Sequence, residues 1–371
     1  MTLNRRTTLA LMAGALASPA VAAGPDPIAG MTVINALGGL GDPNDTTERD
    51  RPALSKRIMD DARASGLNAV NWTVGYVFGK DEPFQESVAE VAKFDRLIRE
   101  NPRDLIKVLT TADIARAKAE KRVGVILGFQ NAAMMGDDPK RVDIFADMGV
   151  KIIQLTYNLP NQLGDGSMGK ENRGLTAFGR QVIERLNANK VMVDLSHSGQ
   201  RICLDAAQAS KQPISINHTG CRALTDLPRN KTDEELRLVA EKGGFVGIYF
   251  MPFLAADGQA HASDVVAHIE HALKVCGEDQ VGLGTDGMTT QIDDLKAYGV
   301  ALAKENAERR AAGISAPGES ATTYPFVVDL RGPDQFRKLA RMLSARGHSR
   351  ARIEKIMGLN FIRYAKEIWG A

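Results

Sequence analysis

The sequence predicts a single-domain (β/α)8 (TIM) barrel, and three observations carry that prediction. Eight short runs rich in β-branched residues alternate with stretches of helical spacing. Strict alternation implies a parallel sheet, and eight repeats over a chain of 371 residues suit a closed barrel. The competing open, doubly wound sheet lacks its usual mark, because no Gly-rich phosphate loop follows the first strand.

The elements follow in order. TVINAL (32–37) reads as the first strand, and the Gly/Pro/Asp segment GGLGDPND follows it as a loop. RPALSKRIMDDARASG is helical, with Pro52 near its first turn and Gly66 just past its end. NAVNWTV (68–74) is the second strand, and FQESVAEVAKFDRLIREN (84–101) has helical apolar spacing. GVILGF (124–129), the helix DPKRVDIFADMG and the strand KIIQLTY (151–157) come next, then a loop rich in Asn, Gly and Asp over 158–174. VMVDLSH (191–197) and PISINH (213–218) are strands joined by the helical GQRICLDAAQASKQ, a connection long enough for a parallel crossover. GFVGIYF (244–250) and VGLGTD (281–286) complete the set, with TDEELRLVAEKGG and SDVVAHIEHALKVCG as helices that open on Ser, Thr or Asp. Residues 301–317 form a charged, helix-like excursion, and two helices after Gly332 close the chain.

In such a barrel the chemistry gathers at the C-terminal ends of the strands. That face offers Gln130, Tyr157, Asn158, His197, His218 and Asp286. Two imidazoles and a carboxylate on one mouth suit zinc, and a zinc-bound water loses its proton near neutral pH. The bland alternative is a pair of hydrogen-bonded core histidines. His268 and His271, three residues apart on an outer helix, read as structural.

A net charge of +2, with 25% charged and 44% hydrophobic residues, shows no polyanion-binding bias, and nucleic acid is not an expected partner. The three cysteines, Cys203, Cys221 and Cys276, have no metal-type spacing, and an odd count argues against a disulfide framework. Residues 1–23 read as an export signal: Arg5-Arg6, the apolar run Leu9 to Leu16, then Ala20-Val21-Ala22. NRRTTLALMAGA is similar to a twin-arginine signal, and the expected location is periplasmic or secreted, without a membrane anchor. Residues 24–371 form the barrel with its closing helices.

Several motifs resemble the membrane (renal-type) dipeptidases, peptidase family M19, which belong to the metal-dependent hydrolase barrels. They are DLSH (194–197), INHTGCRAL (216–224), PRN before TDEELRLVAEKGGFVGI, VGLGTDG, and the terminal IMGLNFIRYAKEIWG. The likeness covers nearly all of the chain after the signal. It implies a two-zinc site whose bridging hydroxide attacks a dipeptide carbonyl. His197 and His218 match the histidines of one metal position. Asp286 matches the acid that handles the proton of the attacking water, and Arg229 the arginine that clamps the substrate carboxylate. A homodimer is also implied.

The departures from that pattern are equally specific. Where the family carries a D-G-H-N-D type motif, this chain reads Asn35-Ala36-Leu37-Gly38-Gly39. The bridging glutamate falls on Gln130 and the carbonyl-polarising histidine on Tyr157. Asp42 in GLGDPN, beyond the strand end, is a candidate substitute ligand. The expectation is therefore at most one zinc, on His197 and His218 with Gln130, or no metal. Without metal, either imidazole would take a proton near pH 7, and Tyr157 would donate to an oxyanion. Arg229, Tyr157 and Asn158 would bind the substrate. Three readings follow: a dipeptidase-like hydrolase of a small peptide or amino-acid conjugate, a metal-independent barrel enzyme of other chemistry (lyase, isomerase or natural-product maturation), or a non-catalytic peptide binder.

Overall fold

The computed structural model describes residues 25–45, 54–311, 313 and 315–370. The export signal and Pro52 lie outside the described residues. In chain order the first half holds β1 (Val33–Gly38), α1 (Lys56–Ser65), β2 (Leu67–Thr73), α2 (Pro83–Glu100), β3 (Leu105–Lys107) and α3 (Thr111–Ala119). β4 (Val123–Phe129), α4 (Arg141–Asp147), β5 (Val150–Gln154), α5 (Ala177–Ala188) and β6 (Met192–Asp194) follow. Then come α6 (Gln200–Ala209), β7 (Ser215–Thr219), α7 (Asp233–Glu241), β8 (Phe245–Ile248), α8 (Ala262–Cys276) and β9 (Val281–Leu283). The chain ends in α9 (Leu295–Ala311), α10 (Gln335–Ala345), α11 (Arg350–Glu354) and α12 (Asn360–Trp369).

The strands are parallel and run in the order β1-β2-β4-β5-β6-β7-β8-β9, with β3 attached to β4. A parallel bridge between Gly38 and Gly287 closes the sheet on itself. Asn35 seals the same seam: its Nδ2 donates to Thr285 Oγ1 (2.8 Å) and its Oδ1 accepts from the Thr285 amide (2.7 Å). Gly38 is required there. A Cβ at that position would meet Asn35 Nδ2 at 2.1 Å and the Gly287 carbonyl oxygen at 2.6 Å. The predicted (β/α)8 barrel is the observed fold.

β3, α3 and α5 were not among the predicted elements. β3 is three residues long, too short to show a period of two, and it pairs only with the first half of β4. α1 begins at Lys56 behind the N-cap Ser55, whose side chain accepts from the Ile58 amide. The base of the barrel is filled by Ile34, Ala69, Ile126, Ile152, Met192 and Phe245, against which α12 packs Phe361, Tyr364 and Trp369. An apolar plug closes one end, so polar groups gather at the other. Among the described residues no helix is long and apolar enough to cross a membrane.

Candidate active site

β6 stops at Asp194 because that side chain captures the chain beyond it. Asp194 Oδ1 accepts from the Ser196 amide (3.0 Å), the Ser196 hydroxyl (2.5 Å) and the Asn217 amide of β7 (3.0 Å). Ser196 Oγ then accepts from the His218 amide (3.1 Å), and the Ser196 carbonyl accepts from Arg229 Nη1 (2.6 Å). One serine thus joins the carboxylate of β6, the histidine of β7 and the arginine of the following loop. The motif DLSH signals this turn, yet sequence reasoning drew only the histidine from it.

The two imidazoles come together as predicted from the spacing. His197 and His218 have ring centroids 4.9 Å apart and are 4% and 0% exposed. His197 Nδ1 lies 2.6 Å from Asn158 Oδ1, so it carries the proton and leaves Nε2 as the lone-pair nitrogen. That Nε2 is buried without a hydrogen-bond partner, as is His218 Nδ1. His218 Nε2 faces the Gln130 amide at 3.4 Å. Burial, reinforced by the Arg229 charge, holds both imidazoles well below their ordinary pKa. This direction runs against the expectation that either one takes a proton near pH 7, because a charged ring here would lie out of water beside a guanidinium.

Tyr157 is stacked on His197 at 4.2 Å between centroids, and Phe78 stacks on its other side at 5.9 Å. Its hydroxyl is raised in pKa by burial, opposed by the nearby charge of Arg309. Asn158 takes a post different from the substrate contact expected of it. It is 2% exposed, and its Oδ1 is taken up by His197 Nδ1, whose ring tautomer it fixes.

Asp286 follows β9 on a strained backbone, with φ of 56° in the left-handed region. Its amide donates to the Leu37 carbonyl (2.9 Å), so the barrel seam holds that conformation. Burial pushes its carboxyl up to about 6, while Arg229 and Arg309 pull the other way. Arg229 is 2% exposed. Its contacts among the described residues are the Ser196 carbonyl and the Tyr249 ring, whose centroid is 5.8 Å from the guanidinium carbon. The acid on which its charge acts most directly is Asp286.

The donor set does not fit the two-ion centre. Leu37 is buried in the position of a lost ligand, and a Cβ on Gly39 would press on Trp72 Nε1 at 3.2 Å. Asp42 is engaged elsewhere, its Oδ1 accepting from the amide and side chain of Asn44 and its Oδ2 lying 3.8 Å from Arg57 Nε. A neutral Gln130 cannot bridge two dications. Among the described residues no group of three or more His, Cys, Asp or Glu is placed to hold a metal. One ion fits more readily, since His197 Nε2 is an unused buried donor and His218 and Gln130 lie side by side.

Arg309 was missed. It stands on α9, the segment read as a charged excursion, and its charge reaches Tyr157, His197 and Asp286. Nothing in local sequence distinguishes it from its neighbour Arg310. His268 is structural, as read: Nδ1 accepts from the Cys221 amide (2.9 Å) and Nε2 donates to the Leu254 carbonyl (3.1 Å). His271 pairs with Asp233 at 2.7 Å.

Comparison with known proteins agrees with this architecture. An amidohydrolase from Pseudomonas aeruginosa superposes with a TM-score of 0.77 at 30% identity, covering 93% of this chain and 98% of that one. The uncharacterized protein in the pqqA 5′ region of Klebsiella pneumoniae is 28% identical over 76% of this chain and 95% of its own length. The dipeptidase tcpJ of Claviceps purpurea is 27% identical over 69% of this chain, which spans 53% of that relative's length. The sequence profile of the membrane dipeptidases matches residues 50–305. The chain is therefore a member of the membrane dipeptidase family, peptidase family M19.

Proposed function

We propose that this chain is a dipeptidase-like hydrolase of a dipeptide or small amino-acid conjugate with a free carboxylate, working with at most one divalent ion. The observation that carries the reading is Arg229, a buried guanidinium whose side chain is held at the mouth by the Ser196 carbonyl and forms no salt bridge with a described carboxylate, though the Asp286 charge reaches it. A buried charge that is only partly compensated costs several kcal/mol, and a ligand carboxylate taken by the planar fork offsets that cost. Arg229 is also the first charge that pulls the Asp286 carboxyl down against burial, so cation and acid act on the same mouth.

The chain's own groups supply the remaining chemistry. Asp286, with its pKa pushed up to about 6, is ionised at neutral pH yet basic enough to draw a proton from water. It then returns that proton to the leaving amine. Tyr157 donates to the oxyanion that forms at the carbonyl. His197 Nε2 accepts a hydrogen bond from the water and orients it. If one ion is bound, His197, His218 and Gln130 would hold it, and it would supply Lewis acidity to the water.

Purified mature protein, assayed on a dipeptide panel with and without added zinc, tests the reading; no turnover under any condition overturns it. Elemental analysis of the exported protein checks the metal claim, and two equivalents per chain would sink it. Export belongs to the same proposal. Arg5→Lys with Arg6→Lys should retain the full-length precursor in the cytoplasm.

A further inference from the structure

A cavity of about 730 Å³ opens on the side of the mouth away from Arg229, and the chemistry proposed above makes no use of it. Arg229 follows β7, whereas Trp72 of the cavity wall belongs to β2, four strands from β7 in the ring. The floor is apolar. Leu40, Phe94 and Leu302 are buried there, and Phe94 stands edge-on to the Trp72 indole with centroids 4.9 Å apart. This floor reaches the barrel seam: Met288 lines the cavity two residues past Asp286, and the Gly39 amide donates to the Gly287 carbonyl (3.2 Å). A Cβ on Gly39 would meet Trp72 Nε1 at 3.2 Å, so the cavity begins where the seam that carries Asp286 ends. The rim has the opposite character. Asp42, Glu90, Asp293 and Asp294 line it. Lys93 pairs with Glu90 (3.0 Å), and Arg57 takes Asp293 (2.6 Å) and stands 3.8 Å from Asp42. Asp294 Oδ1 instead accepts from the Lys296 and Ala297 amides at the start of α9. Four carboxylates to two cations leave this rim negative in a chain whose net charge is +2, and low-dielectric walls focus such a field on whatever enters.

We propose that this cavity is the subsite for the amino-terminal side chain of the ligand, and that it selects a long side chain with an apolar stem and a cationic end, as in lysine or arginine. With the ligand carboxylate on Arg229, the other residue of a dipeptide extends across the mouth toward β2. The volume is that of a pocket built for a small molecule. A methylene stem lies along Trp72, Phe94 and Leu302 while its charged end emerges among the rim carboxylates, and the indole face adds attraction for a cation. A side-chain carboxylate of the same reach meets like charge and is rejected. This inference deepens the hydrolase reading by naming the ligand class, and rests on it for the direction in which the ligand lies.

The test titrates full-length mature protein, with and without zinc, with phosphinate dipeptide mimics whose amino-terminal side chain is that of lysine, norleucine, glutamate or alanine. Lysine and norleucine share a four-carbon stem, so their ratio isolates the charge. The lysyl mimic should bind about tenfold more tightly than the norleucyl one at low salt, the glutamyl mimic should bind most weakly, and the lysyl advantage should shrink as salt rises. Glu90→Lys, on the rim, should erase the lysyl advantage. Ala297→Phe, which fills the cavity from α9, should erase the advantage of norleucyl over alanyl; Ala301→Phe, one turn along, repeats this test if that variant does not fold. A glutamyl mimic that matches the lysyl one, or advantages that neither variant moves, overturns the proposal. If no phosphinate binds under any condition, the hydrolase reading fails and the cavity is judged alone, by hexylamine against hexanoate. The readout is then the fluorescence of Trp72, one of two tryptophans, assigned by its loss in Trp72→Phe. A response to hexylamine only upholds the cationic subsite, and an equal response or none overturns it.

Discussion

The two halves of the barrel mouth have had different histories of constraint. The half built by β6, β7 and the loop to α7 keeps its polar kit, because Ser196 and Asp194 bind His218, Arg229 and the turn before His197 into one network. Losing any member there strands the others as buried, unsatisfied groups, and each such group costs about 1–3 kcal/mol. In the half built by β1, β4 and β5 the residues at the strand ends serve barrel closure and packing. Asn35, Leu37 and Gly38 belong to the seam, and Gln130 rests against His218. A site can be dismantled from the side whose residues answer to no one else.

The sharpest way to break this comparison is Arg229→Met. Carboxylate-bearing ligands should bind about 100- to 1000-fold more weakly, in line with truncating one partner of a buried charge pair. The melting temperature should fall only modestly, because the substitution strands the Ser196 carbonyl but also removes a buried charge. A large fall in stability with intact binding would show that Arg229 serves the fold instead.

Asp286→Asn should lower the turnover number about 10²- to 10⁴-fold. In the wild-type protein kcat/KM should rise with pH through about 6 and then level, and that limb should vanish in the variant. The stability effect has the opposite sign. A carboxyl raised from 3.8 to about 6 binds its proton more tightly in the folded chain. This group therefore stabilises most at low pH, and its contribution falls as pH climbs through that window. Denaturant titration of both proteins at pH 4 and pH 7 checks the sign.

Gln130→Glu should sharpen the contrast from the dismantled side. A carboxylate beside His218 Nε2 should raise zinc affinity about tenfold or more, read by metal titration. The triple variant with Leu37→His and Gly39→Asp should approach two equivalents only if Trp72 moves, because Gly39 has no room for a side chain against its indole. Dipeptidase activity confined to that triple variant would mean that the native reaction lies elsewhere.

The smallest catalytic effect belongs to His268→Ala. Activity per folded molecule should be unchanged, while stability falls by about 1–3 kcal/mol from the stranded Cys221 amide and Leu254 carbonyl. A loss of kcat there would refute its structural assignment.

Much of this was legible in the chain itself. The alternation of runs predicted the barrel, and the two strands ending near histidines predicted the pairing of His197 with His218. The motif resemblance placed Arg229 and Asp286 before any coordinates did. What escaped was either short or distant. β3 is too brief for a period, and the Asn158–His197 bond spans 39 residues. The charge of Arg309 reaches Tyr157 only because α9 folds back toward the mouth, and no local pattern encodes such a return. The lowered pKa of the imidazoles was likewise invisible, because it depends on how deeply the barrel buries them.

The seam of the barrel carries a further consequence. The amide of Asp286 hangs on the Leu37 carbonyl, so the proposed base is attached to the joint between the earliest and latest strands of the cylinder. Its geometry exists only while that joint is shut. Catalytic competence should then report on ring closure itself: warming or cutting that parts these two staves silences the acid before the histidine side of the mouth has moved.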